Sequence, residues 1–328
     1  MAENLDIKDQ KLLYYLSQNA RESHTQLAKA VGLSKAAITY RIERLQTEGI
    51  IKKFTTVINI GSIQHDTFIM LCRFNEDIYT NTTILDYFKT HHYCNWAATL
   101  SGQWDIIAEF VIKDTFNINQ TLDALTKAFE GKVNNYHIFC PLPAIKVEHL
   151  PEDYYKHLNL KPLPSPQKTM ERYTLDQQDK KLLHALSEDA SQTYVELVTK
   201  TKLTPDTVHY RLPKLIDKGI IIKFFPELNL PKLGYTEYFC TLQLRNISET
   251  TITTIKQTLR THQNITFAFK DRLSSSIGFV CAFKKAEELD HLLRNLRSTY
   301  TNNIQDLNYV IIKEQILFNL FPKGLLES

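Results

Sequence analysis

The residues best suited to meeting a charged partner lie in one stretch, 33–54, LSKAAITYRIERLQTEGIIKKF. Lys35, Thr39, Tyr40, Arg41 and Arg44 combine cations and hydroxyls, the mixture that suits the phosphates and base edges of double-stranded DNA. Ile38, Ile42 and Leu45 recur at i, i+4 and i+7, so they form one buried stripe and leave the polar residues around the other sides. Ser34 stands where a helix cap belongs, at the edge of the same face. Gly49 stops the helix, and Ile50, Ile51, Lys52 and Lys53 open a β-prone run. Base reading is expected of Lys35, Thr39 and Tyr40, and phosphate holding of Arg41, Arg44, Lys52 and Lys53. Arg41 has a second reading, an ion pair with an acid inside its own domain. An ordinary surface helix with a solvated charged face has the same pattern, so the preceding elements must decide.

Those elements are a helix over 8–18, carrying Leu12, Leu13 and Leu16 at helical spacing, a polar break at 19–23, and a short helix over 25–30. The tight turn Val31-Gly32-Leu33 joins it to the basic helix. Two helices across a three-residue turn containing Gly make a helix-turn-helix, whose first member braces the second against base edges.

The same text returns. Residues 175–224 repeat 5–54 at a constant offset of 170, with 19 of 50 positions identical, far more than chance provides. Asp9/Asp179, Tyr40/Tyr210, Arg41/Arg211 and Gly49/Gly219 are among them. The period is too long for a solenoid; the chain is a duplicated two-part unit. In the second copy the corresponding candidates for DNA contact are Thr204, His209, Tyr210, Arg211, Lys214 and Lys223. Thr204 caps a helix with Pro205 at its first position, and Val208, Leu212 and Leu215 form its seam. Pro213 replaces Glu43, removes the bond to the carbonyl of His209 and costs on the order of 3 kcal/mol, so this helix is expected to kink or shorten. His209 for Thr39 and Lys214 for Arg44 alter the outer face as well. An asymmetric site follows, or one working reader beside a weak phosphate holder.

After each helix-turn-helix the periodicity reads strand, helix, strand, strand, helix, strand, the ferredoxin-like βαββαβ unit. The first runs through 67–74, 82–90, 95–100, 105–112, 116–129 and 136–147, the last interrupted by Pro141 and Pro143. The second runs through 238–244, 249–261, 265–270, 277–283, 286–300 and 304–313, with an apolar tail at 316–321. Both helices of such a unit lie on one face of its sheet, so the other face needs a cover, most simply a second such sheet. That cover is either the other half of the same chain or a copy of the same half from a second chain. The fold class is therefore α+β: winged helix-turn-helix (1–60), αβ module (61–150), a linker containing Pro162, Pro164 and Pro166 that favours extended geometry (151–173), a second winged helix-turn-helix (174–230) and a second αβ module (231–328).

With 328 residues, 43% of them hydrophobic, each half can bury a core, and a net charge of +3 neither demands nor excludes nucleic acid. Five scattered cysteines without a CxxC spacing read as reduced core thiols in a cytoplasmic protein, and the N-terminus lacks a signal-peptide core. His91-His92-Tyr93-Cys94 has metal-binding residue types but no second ligand pair at a zinc spacing, so no metal is expected. No GxSxG, P-loop or GxGxxG occurs, and neither a cofactor nor a catalytic residue is assigned.

The pattern LDxxDxxxLxxLxxNARxSxxxLAxxVGLSxxxIxxRIxRLxxxGII over 5–51 resembles the Lrp/AsnC (feast/famine) transcription regulators. The segment Thr99-Leu100-Ser101-Gly102-Gln103-Trp104-Asp105 resembles that family's effector turn, marked by a Gly and an Asp three residues later. The resemblance implies operator binding by the winged helix-turn-helix and an αβ module that dimerises and often binds an amino acid or similar small molecule, here with Gly102 and Asp105 as effector-site candidates. The alternative at that turn is local: Gly102 makes a hairpin and Asp105 caps it. Arg272 and Ser275 stand at the matching positions of the second copy, so effector binding is expected in the first module only. The family usually has one unit per chain and assembles into dimers and larger oligomers; a tandem fusion implies a built-in pseudo-dimer or a homo-oligomer of it. Two other functions remain open. Siroheme decarboxylases share the fold, some as fused pairs, and use His, Arg and Tyr; His91, His92, Tyr93, His137 and Arg272 fall in or near the relevant strands. An architectural DNA-binding protein without effector is the other.

Overall fold

The computed structural model describes residues 5–80, 82–114, 116–161 and 172–327. The extended geometry expected of Pro162, Pro164 and Pro166 concerns positions outside the described residues. The first half begins with α1 (Ile7–Gln18), α2 (His24–Val31) and α3 (Lys35–Thr47). A capping box of Asp6 and Asp9 starts α1, Ser23 caps α2, and Gly32 ends α2 at φ 74°, a left-handed conformation that Gly adopts without a Cβ penalty. Then follow β1 (Ile51–Ile58), β2 (Asp66–Phe74), α4 (Thr82–Thr90), β3 (Cys94–Ser101), β4 (Ile106–Ile112), α5 (Phe116–Ala128), β5 (Val133–Phe139), β6 (Lys146–Val147) and the short α6 (Asp153–Lys156).

The second half repeats the order: α7 (Gln177–Glu188), α8 (Tyr194–Thr201), α9 (Pro205–Asp217), β7 (Ile221–Leu228), β8 (Thr236–Leu244), α10 (Glu249–Thr261), β9 (Ile265–Lys270), β10 (Ser276–Phe283), α11 (Ala286–Thr299), β11 (Ile304–Phe318) and α12 (Lys323–Glu327).

The strands that follow the two helix-turn-helices do not fold back on their own halves. β1 pairs antiparallel with β7, in a two-stranded sheet with Thr56 opposite Phe224 and Phe54 opposite Pro226. The exchange extends to the helices: α1 packs against β7 and α7 against β1. Thr55 and Thr56 of β1 donate their hydroxyls to the carbonyls of Ser187 and Leu186 at the end of α7, at 2.9 and 3.0 Å. Arg21 of the first half donates to the carbonyls of Ala190 and Gln192. One continuous apolar core therefore holds Leu12, Leu16, Ile38 and Leu45 together with Leu182, Leu186, Val208 and Leu215.

The other strands form one nine-stranded sheet in the order β5-β2-β4-β3-β11-β8-β10-β9-β6. Each half supplies a ferredoxin-like set, and β11 joins them: its first part pairs with β8 and its last part with β3. β11 therefore runs on to Phe318, past the strand end expected at 313, because β3 offers a second ladder for its backbone groups. The strand expected over 136–147 instead stops at Phe139 and resumes at Lys146, since Pro141 and Pro143 have no N–H to donate. The two half-sheets turn their inner faces to each other, where Ile69, Leu71 and Phe139 meet Phe239, Phe269 and Val310. The ring of Phe139 lies 6.0 Å from that of Phe239 and 5.8 Å from that of Phe269, both edge-on. The helices cover the outer faces over separate cores. The sheet-to-sheet cover is thus made within one chain.

Candidate nucleic-acid interface and inter-module cavity

α3 keeps its seam of Ile38, Ile42 and Leu45 buried, and Ser34 caps it by accepting from the amide of Ala37. Lys35 and Tyr40 stand outward, Tyr40 at 66% exposure. Thr39 is half-buried; its hydroxyl bonds to the carbonyl of Lys35 and to the ring of His24 on α2, so it ties the two helices together at the edge of the outer face. In the second copy Thr204 caps α9, and Tyr210 is again 66% exposed, so the outward tyrosine survives duplication. His209, exposed, stacks on Tyr194 of α8 at 4.3 Å between ring centroids, replacing the Thr39–His24 bond by ring contact. Lys214 lies 5.6 Å from the ring centres of both Tyr173 and Tyr210.

α9 spans 13 residues, as α3 does, and at the same offset. The expected shortening at Pro213 does not occur. Pro213 is exposed, so its missing N–H and its ring lie on the solvent side, while Val208, Leu212 and Leu215 stay buried and hold the helix from the other side.

Several of the cations expected to hold phosphates have partners within the chain. Arg41 pairs with Asp6 at 2.8 Å and Asp9 at 2.6 Å, and Arg44 pairs with Asp9 at 2.7 Å. Asp9 is 1% exposed, so these ion pairs seal the base of α1. Arg41 holds the Asp6 carboxyl at about 2, below the usual carboxylate range. Arg211 repeats the arrangement with Asp176 and Asp179, both at 2.7 Å. There the hydroxyl of Tyr173 donates to Asp179, filling the place that Arg44 takes in the first copy. The β1 lysines are also engaged. Lys53 donates to the carbonyl of Phe318 on β11, and burial lowers its pKa. Lys52 lies 3.4 Å from Glu227 on β7. Lys223 is half-buried, and burial lowers its pKa as well. The physical reason is the strand exchange, which turns the expected wing edge into the seam between halves. Sequence reasoning missed Asp9, Asp179 and Tyr173; retention of the two aspartates together with Arg41 and Arg211 in both copies was the available signal.

Gly102 adopts φ 136°, and a Cβ there would come within 3.1 Å of Val310 of the other module. The Asp105 carboxylate accepts from the amide of Phe74 at 2.7 Å, which closes the β3–β4 turn onto β2. Both residues thus shape the turn and present Gln103 and Trp104 to a cavity of about 220 Å³ between the modules. The matching turn of the second copy is a clasp: Arg272 makes a bidentate ion pair with Asp66 at 2.8 and 3.0 Å, and Asp271 accepts from the amide of Cys140. Two of the remaining candidate ring groups, His91 and His92, have partners within the chain. His91 packs edge-on against Phe110, and His92 lies 3.1 Å from Glu327 of α12. No helix among the described residues is long and apolar enough to cross a membrane.

These features define a duplicated unit of winged helix-turn-helix and αβ module. A winged helix-turn-helix DNA-binding family model matches the chain twice, over residues 5–52 and 175–222. An HTH-type transcriptional regulator of Pyrococcus furiosus is 35% identical over 109 residues, 33% of this chain and 73% of that protein. The HTH-type transcriptional regulator LysM of Saccharolobus solfataricus is 50% identical over 52 residues, 16% of this chain and 37% of that protein. Among solved structures, the siroheme decarboxylase NirDL covers 98% of this chain and 96% of its own at a TM-score of 0.63 with 9% sequence identity, a likeness of fold. The chain belongs to the Lrp/AsnC family of HTH-type transcriptional regulators, DNA-binding proteins, and carries the family's unit in tandem.

Proposed function

We propose that a single chain acts as a covalently linked pseudo-dimer that places two unlike recognition helices on one asymmetric operator in the cytoplasm, under the control of a small molecule held between its αβ modules. The observation that carries this reading is the β1–β7 pairing, which fuses the two helix-turn-helices over one core. Lys35, Tyr40, Tyr210 and His209 are the outward groups for base contact, with Ser34, Thr39, Thr204 and Lys214 beside them. Effector response is assigned to the Gly102–Asp105 turn through the residues it presents, not through the Asp105 carboxylate, which already serves a backbone amide. The protein is read as non-enzymatic.

Footprinting of the chain on genomic fragments, including its own upstream region, tests the proposal. One protected site is expected, its two halves differing in sequence, with Tyr40→Ala relaxing one half and Tyr210→Ala the other. A footprint insensitive to both substitutions would overturn it.

The full-length fold likeness to a siroheme decarboxylase supports a second reading, a tetrapyrrole enzyme. Against it, Phe139, Phe239 and Phe269 fill the space between the sheets, and the cavity of about 220 Å³ lies below the range of roughly 300–1,000 Å³ usual for drug-sized ligands. Visible absorbance on the purified protein, or a spectral change on adding siroheme, would favour that enzyme.

A further inference from the structure

We propose that the inter-module cavity binds a small organic amine as its cation, in preference to a zwitterionic amino acid. The proposal deepens the effector reading above and rests on it. The cavity is walled by the rings of Trp104, Phe139 and Phe239 and by the polar side chains of Gln243, Asp306 and Asn308. Asp306 and Asn308 share the inner face of β11 with Val310, so their side chains project toward the opposite sheet. Asp306 accepts from the amide of Leu307 at 2.9 Å through one oxygen and from Asn308 at 2.7 Å through the other. Each oxygen retains a lone pair for an ammonium group. Among the described residues that line the cavity there is no lysine or arginine. His137, at its edge, has its pKa lowered by burial, which disfavours its cationic form. A ligand carboxylate would find no counter-charge there and would face Asp306, whereas an ammonium group meets a carboxylate and aromatic faces together.

The site occurs once. Trp104 corresponds to Ser274 at the offset of 170, and Asp306, opposite Gln243 of β8, corresponds to Asn135, opposite Arg73 of β2, so the second copy has neither the indole nor the carboxylate. The Arg272–Asp66 clasp stands at the corresponding turn instead.

Titration calorimetry of the full chain with 1,5-diaminopentane and with L-lysine isolates the contribution of the carboxylate, because the two probes differ only by that group. The diamine is expected to bind one per chain, and lysine at least tenfold more weakly. Asp306→Asn and, separately, Trp104→Ser should each weaken the diamine at least tenfold. Equal or tighter lysine binding, two diamines per chain, or unchanged affinity in both variants overturns the proposal, as does absence of diamine binding. Binding of the same preparation to DNA fragments without any amine keeps the outcomes apart: DNA binding without diamine binding removes this inference alone, and loss of DNA binding removes the regulator reading beneath it.

Discussion

At Asp9 one buried carboxylate decides what two arginines can do. Arg41 and Arg44 both reach it, so the strongest cations of the recognition helix hold α3 to α1. Truncating one partner of a buried pair leaves charge uncompensated. Because Arg41 remains and Arg44 is 31% exposed, Arg44→Ala should cost about 1–2 kcal/mol in urea unfolding. The salt dependence of DNA binding by the folded variant should not change, whereas Lys35→Ala should flatten that slope by about one unit. A flattened slope for Arg44→Ala would return Arg44 to the phosphates. Glu237 on β8 makes a second prediction. Burial raises its carboxyl to about 7, with Lys52 opposing. Between roughly pH 4.5 and 7 the unfolded chain loses this proton and the folded chain keeps it, so stability falls as pH rises through that window and levels off above it. Glu237→Gln should therefore match the wild type near pH 4.5 and exceed it by on the order of 1–3 kcal/mol at pH 8, read from paired denaturation curves. The difference curve separates this effect from that of His91, which burial lowers to about 4 and which works in the opposite direction, its stability lost as pH falls below 6.5. At this scale the sequence was half legible. Tyr40 could be read as outward because it lies off the Ile38–Ile42–Leu45 seam. Lys53 could not be read, because its acceptor, Phe318, lies 265 residues further along the chain.

Among the elements, α9 shows how burial overrides a local rule. Its proline removes a backbone bond, yet the helix keeps its 13 residues because three seam side chains remain anchored and the defect faces water. Restoring the first copy's residue, Pro213→Glu, should regain part of the roughly 3 kcal/mol cost, less the benefit of roughly 0.4–1 kcal/mol that a proline brings by restricting the unfolded chain. A net gain of about 2 kcal/mol, seen as a higher melting temperature, is the expected result; no gain would mean that the helix has already relaxed around the ring. Helices and strands with strong periodicity were legible nearly to the residue: 249–261 and 265–270 are read from the sequence as they stand in the structure. Ends that depend on a distant partner were not. β11 continues because β3 accepts it, and nothing in residues 313–318 announces that ladder.

For the whole molecule, the decisive fact is that neither helix-turn-helix completes its own core. β1 needs a partner strand, and β7 provides it from 170 residues away. Duplication explains why the fit works: the two strands descend from one text, with Ile51, Lys53 and Phe54 matched by Ile221, Lys223 and Phe224. A strand that pairs antiparallel with its own near-copy can also pair with its true copy. Residues 1–161 alone are therefore expected to form a homodimer through β1, not a folded monomer, and sedimentation velocity decides between them. A stable folded monomer would show that the exchanged strand contributes little to the core. Pairing of this kind also explains what fusion adds. Two separate subunits with one shared surface must be alike and read a symmetric site. Two halves in one chain are released from that constraint, so His209 can differ from Thr39, Arg272 can clasp where Gly102 leaves a turn open, and Asp306 can bring to the cavity a charge that its counterpart Asn135 lacks. The 1–161 homodimer should accordingly prefer a palindromic version of the half-site that Tyr40 reads, and selection from random DNA with the fragment and with the full chain would show a symmetric site for the first and an asymmetric one for the second.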